Sequence, residues 1–123
     1  MTRKFLTALA LLPTLMAAPA MAQQASYCNG QVVADSFSVG SLTMMMPVTT
    51  YNVMLRNTTA QPIQAVVNFT MEVIGLQDRA ANRMVTLPPG QQFIVALGAV
   101  PATVNPPIPT PDVLSRHTRV TCG

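Results

Sequence analysis

Residues 63–74 read IQAVVNFTMEVI, and this stretch has the strongest alternating pattern in the chain. Its odd-numbered positions, from Ile63 to Val73, are all apolar, whereas most of its even-numbered positions are polar. A period of two residues is typical of a β-strand with one buried face, because successive side chains of a strand point to opposite sides of the sheet. The stretch therefore predicts a strand that packs one face against a core.

The segment before this strand alternates in the same way. Tyr51, Val53 and Leu55 are apolar and are interleaved with mostly polar residues. Residues 57–62, which join the two segments, read NTTAQP and are rich in residue types that favour turns. The two segments together predict an antiparallel β-hairpin.

Four further segments have the alternation or the flanking turn residues of strands. They are Gln31–Val39, Arg83–Leu87, Gln91–Leu97 and His117–Cys122. The expected core positions in them are Val33, Phe37, Val39, Phe93, Val95, Leu97, Val120 and Cys122. Asp35 is an awkward member of the first set, because it would place a carboxylate on the buried face. Gly75–Asn82 is a longer connection, in which we expect a helical turn over Gln77–Ala81.

Six or seven short strands in about 100 residues are typical of an antiparallel sandwich. We therefore expect an all-β fold, a small antiparallel β-sandwich of immunoglobulin-like architecture, with an open barrel as the alternative. The chain has no tryptophan, and its two cysteines lie outside the predicted central strands. This differs from true immunoglobulin domains, so the pattern predicts an architecture and not a family.

A proline-rich connection, Val100–Asp112, precedes the last predicted strand. Its five prolines cannot donate hydrogen bonds to a sheet and favour an extended polyproline geometry. Pro106 and Pro109 have the spacing of an SH3-domain ligand. We favour the simpler interpretation, a spacer that leads from one sheet to the next.

The first 22 residues have the three parts of a secretory signal peptide. Arg3 and Lys4 are followed by an apolar stretch, Phe5–Ala18, and by Ala20-Met21-Ala22, whose small residues suit a signal peptidase. About 14 apolar residues are too few for a membrane span, which needs about 20. We predict cleavage after Ala22, with residues 1–22 as the signal and residues 23–123 as one β-sandwich domain, located in the periplasm or secreted.

Removal of the signal leaves five arginines against four carboxylates, a net charge of +1 with the single histidine neutral. A nearly neutral chain without a basic stripe is not expected to bind nucleic acid. We also expect no membrane span after cleavage.

Cys28 and Cys122 lie almost at the two ends of the predicted domain, and an oxidising compartment favours their pairing. Such a bond would stabilise the fold by about 4–5 kcal/mol on the chain-entropy model. Two free thiols or a metal pair are the alternatives. The metal pair is weakly supported, because no third cysteine or nearby histidine accompanies them.

Met44, Met45 and Met46 form the most unusual run in the sequence. Thioether sulfur is a soft ligand that suits Cu(I), and on a strand Met44 and Met46 would face the same side. A copper site needs further ligands, and the only histidine is His117. Flexible apolar packing is the favoured interpretation of the run, and no metal or other cofactor is expected.

Asp112, Ser115 and His117 are the residue types of a catalytic triad. A nucleophilic serine needs a base within hydrogen-bond reach and a third group that orients this base. No glycine-containing turn or oxyanion donor is apparent around Ser115, and the carboxylates are dispersed. We therefore assign no catalytic residue and predict that the protein is not an enzyme.

The long stretch from Ser36 to Leu55 contains no charged residue. Monomeric sheet proteins usually protect their edges with lysine, proline or inward-pointing charges. The expected function is a non-enzymatic interaction or structural module, which contacts another exported protein or itself through a strand edge. The alternative is a periplasmic carrier of copper or a small ligand that uses the methionine run.

Overall fold

The computed structural model describes residues 24–43, 46–101 and 105–123. The predicted signal peptide, residues 1–22, lies outside these residues and stays a prediction. The described chain forms seven strands and one short α-helix. In chain order they are β1 (Ala25–Tyr27), β2 (Val32–Thr43), β3 (Pro47–Asn57), β4 (Ile63–Phe69), β5 (Arg83–Leu87), β6 (Gln92–Pro101), α1 (Pro111–Arg116) and β7 (Thr118–Cys122).

The strands form two antiparallel sheets. One has four strands in the order β1-β2-β3-β6, and the other has three in the order β5-β4-β7. Two separate sheets over one core confirm the predicted all-β sandwich and exclude the open barrel. The immunoglobulin-like detail is not confirmed, because β2 and β3 pair within one sheet, whereas the constant-type order places the second and third strands in different sheets.

The core lies between the predicted apolar faces of β3 and β4. Tyr51, Val53 and Leu55 of β3 face Ala65, Val67 and Phe69 of β4, and all six are buried. The Tyr51 and Phe69 rings pack with their centroids 6.1 Å apart. Each large apolar side chain buried in this way stabilises the fold by about 1.5–3 kcal/mol. The alternation in the sequence thus identified the central packing interface correctly.

The predicted hairpin between β3 and β4 is wrong. The two strands lie in different sheets, and Thr58–Pro62 carries the chain across the core from one sheet to the other. Side-chain alternation identifies which face of a strand is buried, but it is the same for strands that pair and for strands that face each other across a core. Polar turn residues suit both connections.

A β-bulge at Asp35 changes which residues of β2 face the core. Ala34 pairs with Leu55 and Ser36 with Met54, so Asp35 is an extra residue without a partner on β3. The extra residue offsets the alternation by one, so that even-numbered residues face the core before the bulge and odd-numbered residues face it afterwards. Before the bulge Val32 and Ala34 face the central core, and after it Phe37 and Val39 do. Val33 is buried, as expected, but it points to the opposite face of the sheet, beside Arg56. The carboxylate of Asp35 therefore stays out of the core.

Strand β6 is longer than predicted, and its predicted inward residues differ in burial. Val95 and Leu97 are buried, but Phe93, which pairs with Leu55, remains 42 % exposed near the start of the strand. At the other end Gly98 lies under the side chain of Leu76. A Cβ atom at this glycine would come within 2.7 Å of Leu76 Cδ1. The absence of a side chain at Gly98 therefore permits this close contact.

The helical turn predicted over Gln77–Ala81 is absent from the structure. Gln77 instead forms an isolated bridge with Ala99, and the Ala80 N–H donates to the Leu97 carbonyl at 2.9 Å. The edge of β6 satisfies these backbone groups, and between them Asp78 has a φ of 54°, which is not a helical value. The sequence-based prediction of a helix was therefore overridden by a tertiary contact.

The proline-rich connection leads from β6 in one sheet to β7 in the other, as predicted for a spacer. Tyr51 Oη donates to the Pro107 carbonyl at 2.8 Å, which fixes the connection over the end of the core. The segment ends in α1, which the sequence analysis missed. Thr110 caps this helix by accepting from the Val113 N–H at 3.4 Å, and Leu114 is fully buried where α1 packs against β2.

The predicted disulfide between Cys28 and Cys122 is confirmed. Their Cα atoms are 6.0 Å apart and their sequence separation is 94 residues. Cys28 begins a 3-10 turn that follows β1, and Cys122 ends β7. The bond therefore links the two sheets, and it joins the two ends of the described chain.

Candidate functional site

The outer side of β2 is a strand edge with few partners of its own. β1 pairs only with Val32–Ala34, so beyond the bulge β3 is the single strand partner of β2 among residues 24–43, 46–101 and 105–123. We call residues Ser36–Thr43, on the side away from β3, the β2 edge. An unpaired strand edge presents a row of N–H and C=O groups that another strand can bind.

The pairing of β3 shows which residues of β2 point their backbone groups outward. The Thr58 N–H donates to the Gln31 carbonyl on the β2 side, and the Asn57 carbonyl accepts from the Gly90 N–H on the β6 side, both at 2.9 Å. Along an antiparallel strand the N–H and C=O groups of successive residues point alternately to one neighbour and to the other. The residues of β3 that point toward β2 therefore identify, through the register, the residues of β2 that bond to β3. The residues that point outward are Phe37, Val39, Ser41 and Thr43. No hydrogen bond among the described residues reaches their backbone groups from outside.

The β2 edge is accessible and uncharged. Ser36, Ser38 and Ser41 are exposed, and Leu42 is 51 % exposed. The segment contains neither a charged residue nor a proline. The charges and prolines that usually protect a free edge are therefore missing from it, and α1 is the one described α-helix that packs against β2. The charge-free stretch is visible in the sequence, but only the pairing of β2 with β1 and β3 identifies the edge itself.

The edge of the same sheet on the opposite side, that of β6, is covered by the chain. Gln77 and Ala99 exchange two backbone hydrogen bonds of 2.7 and 2.9 Å. Arg83 Nη1 donates to the Ala96 carbonyl at 2.9 Å. The edge strands of the three-stranded sheet, β5 and β7, are five residues each and carry Arg83 and Arg119. The β2 edge is thus the least protected long edge in the described part of the chain.

An ion pair lies beside the bulge, at the start of the β2 edge. Arg56 Nε and Nη2 donate to the two carboxylate oxygens of Asp35 at 2.8 and 3.0 Å, and Gln92 Nε2 donates at 3.0 Å. The hydrogen bond from Arg56 holds the pKa of Asp35 below its ordinary value, and the pair raises the pKa of Arg56. The charges nearest to the β2 edge are therefore already neutralised by each other.

The structure does not join Asp112, Ser115 and His117 into a triad. The carboxylate of Asp112 accepts from Arg116, one turn along α1. His117 Nδ1 lies 3.0 Å from the Val113 carbonyl. Ser115 is half-buried on α1, and no hydrogen bond in the described chain joins its hydroxyl to His117. The arrangement lacks the base and orienting group of nucleophilic catalysis.

The ligands suggested for copper are only partly placed. Met44 and Met45 lie outside the described residues, whereas Met46 is 58 % exposed at the turn between β2 and β3. His117 lies at the start of β7 and uses Nδ1 toward Val113. The described ranges contain no group of three or more His, Cys, Asp or Glu residues that could hold a metal. Copper binding stays an untested alternative.

A shallow cleft of about 370 Å³ lies beside the disulfide. Its lining residues are Cys28, Asn29, Gln31, Val120, Thr121 and Cys122. None of these side chains ionises, so the cleft lacks a group for acid–base chemistry. In the neighbouring β1, Tyr27 Oη is buried without a hydrogen-bond partner in the described chain, and burial raises its pKa to about 12.

The described chain therefore offers one long uncharged strand edge and little chemistry. Main-chain hydrogen bonds along such an edge bind an extended polypeptide without a pocket. No helix within the described ranges is long and apolar enough to span a bilayer. No family model, no curated protein and no solved structure matches this chain.

Proposed function

We propose that this protein is an exported, non-enzymatic interaction module that binds an extended polypeptide segment along the β2 edge. The observation that carries the proposal is the unpaired edge of Ser36–Thr43, which lacks charge and proline and whose outward backbone groups are free of hydrogen bonds within the described chain. Its partner is another exported protein or a second copy of this chain.

Export is supported by two independent features. Residues 1–22 have the sequence of a secretory signal. The Cys28–Cys122 disulfide needs an oxidising environment, such as the periplasm or the cell exterior. Both features favour a location in which the protein meets other exported polypeptides.

Binding by strand addition explains the composition of the edge. In this mode the backbone hydrogen bonds provide the affinity, and alternate side chains provide the specificity. Every second residue of the β2 edge offers one N–H and one C=O group to a partner. Exposed Ser41 lies among them, and its N–H points outward, so a substitution there acts on the partner strand with little effect on the core.

The test compares Ser41→Pro with a matched variant, Thr86→Pro. Proline at position 41 removes an outward N–H from the β2 edge. The Gly123 N–H donates to the Gln64 carbonyl on the β7 side of β4, so Thr86, the partner of Gln64 on β5, points its own backbone groups outward from the three-stranded sheet. Each proline therefore removes one outward N–H, but only the first does so at the β2 edge.

The measurement is native mass spectrometry on each protein, purified without reductant from the organism that makes it. We expect wild type and Thr86→Pro to carry a bound polypeptide and Ser41→Pro to be a bare monomer with unchanged circular dichroism. A wild-type chain that is bare at micromolar concentration contradicts the proposal. A complex that survives Ser41→Pro contradicts it as well.

A further inference from the structure

We infer that the polypeptide bound at the β2 edge is a second copy of this chain, paired antiparallel through β2 about a twofold axis. This inference rests on the proposed function and names the partner of the same edge. It would join the two four-stranded sheets into one continuous sheet, with the β2 strands of the two copies side by side at its centre.

The outward N–H and C=O groups of two β2 edges match when the strands run antiparallel. Phe37, Val39, Ser41 and Thr43 point their N–H and C=O groups outward. When Gly40 of one copy lies opposite Gly40 of the other, Val39 faces Ser41 of the second copy and Phe37 faces Thr43. In antiparallel pairs of this kind the two residues exchange both hydrogen bonds. Every outward donor of one copy then meets an outward acceptor of the other.

The absence of charge along the β2 edge also favours pairing with a second copy. An interface about a twofold axis brings the same surface patch of both copies together, so any charge near the axis would meet its own sign. No charged residue occurs from Ser36 to Leu55. The nearest carboxylate, Asp35, is neutralised by Arg56 at 2.8 Å. The β2 edge can therefore pair with itself without like-charge repulsion, which would otherwise oppose association.

The length of the β2 edge is set at both of its ends, and it is the same in a second copy. At one end the bulge at Asp35 and the pairing of Val32–Ala34 with β1 stop any added strand. At the other end β2 finishes at Thr43, before the turn to β3. A second copy presents a free strand with the same limits and the same length. Its central position is Gly40, which adds no side chain at the axis.

The experiment uses charge reversal at Ser41, which is exposed and lies one residue from the axis. In the inferred register the two copies of residue 41 are diagonal neighbours on one face, about 7–8 Å apart and within reach of long side chains. Ser41→Lys and Ser41→Glu each place two like charges there. The matched controls are Thr86→Lys and Thr86→Glu, at an exposed position of β5 in the other sheet.

The association of the oxidised mature chain is measured by sedimentation equilibrium from about 1 to 100 μM, which detects dissociation constants in the micromolar range. We expect dimers of wild type and of both Thr86 variants. The dissociation constant of the dimer should rise by about tenfold or more for Ser41→Lys and for Ser41→Glu when each is measured by itself. An equimolar mixture of these two variants should restore association as a heterodimer. Thermal melts confirm that each variant is folded.

A wild-type chain that stays monomeric throughout overturns the inference, as does a mixture that fails to restore association. These failures are distinguishable from failure of the proposed function. If the isolated chain is monomeric but protein from its own organism carries a different polypeptide that Ser41→Pro removes, the edge binds another exported protein. If the bound polypeptide remains on Ser41→Pro, both the inferred partner and the proposed binding at the β2 edge are contradicted.

Discussion

Asn57 fixes the corner at which the chain leaves the four-stranded sheet. Its side chain is fully buried, with Nδ2 donating to the Gln61 carbonyl at 2.7 Å and to the Leu87 carbonyl at 3.0 Å. Its Oδ1 accepts from the Thr59 N–H at 2.8 Å. Because Leu87 belongs to the other sheet, this single amide joins the end of β3, the crossing segment and β5. An asparagine in a turn-rich stretch gives no sign of such a role in the sequence.

Replacing Asn57 with alanine should lower the free energy of unfolding by about 2–3 kcal/mol, because it leaves the carbonyl of the buried Leu87 without its donor and removes the bonds to Gln61 and Thr59. Asn52→Ala is the control, since Asn52 makes one hydrogen bond, to Thr50 Oγ1, on a half-buried outer face. That variant should lose about 0.5 kcal/mol or less. Urea unfolding of the three proteins measures both values. Equal losses would show that Asn57 does not hold the corner.

The bulge in β2 changes both the packing of the core and the pairing of the strand. The extra residue turns the Asp35 carboxylate away from the core and toward Arg56, and it returns Phe37 to the inner face. Local right-handed twist increases at a bulge, which helps to end the pairing with β1. One inserted residue therefore separates the part of β2 that β1 covers from the part that has no second strand partner among the described residues.

The ion pair at the bulge should make stability depend on acid pH. Arg56 lowers the pKa of Asp35 in the folded chain, so the pair stabilises the fold above the unfolded pKa of about 4 and loses this effect as pH falls through the lower folded pKa. Asp35→Asn should cost about 1 kcal/mol at pH 7, the size expected for a partly exposed pair. It should also lose less stability than wild type between about pH 5 and pH 2 in urea unfolding. Equal losses on acidification would contradict this assignment.

At the scale of elements, the sequence predicts faces better than partners. The alternation of Tyr51, Val53 and Leu55 reveals their buried face, because burial acts on each side chain separately. It contains no information on whether β3 pairs with β4 or faces it, which depends on the whole chain. The helix α1 was detectable, since Thr110-Pro111 is a typical helix start with a capping residue and proline at the first position. The bulge was not, because only the register with β3 reveals it.

The whole molecule is held closed by a bond between its ends. The two sheets share one core, but among the described strands every backbone ladder lies within one sheet or the other. Besides the loops that carry the chain from one sheet to the other, the disulfide between Cys28 and Cys122 links them covalently. A domain of this size has a net stability of about 5–15 kcal/mol, so a link of this kind accounts for a large share.

Replacing both Cys28 and Cys122 with serine should therefore lower the free energy of unfolding by about 4–5 kcal/mol, the chain-entropy value for a loop of 94 residues. The measurement is urea unfolding with and without a thiol reductant. Reductant should lower the midpoint of wild type to that of the double variant and leave the double variant unchanged, which separates the bond from side effects of serine. The proteins are compared at several concentrations, because a dimer through the β2 edge would add stability that rises with concentration. A loss below about 1 kcal/mol would mean that the packing of β3 against β4 holds the sheets together without the bond, and that the disulfide records the oxidising compartment more than it supports the fold.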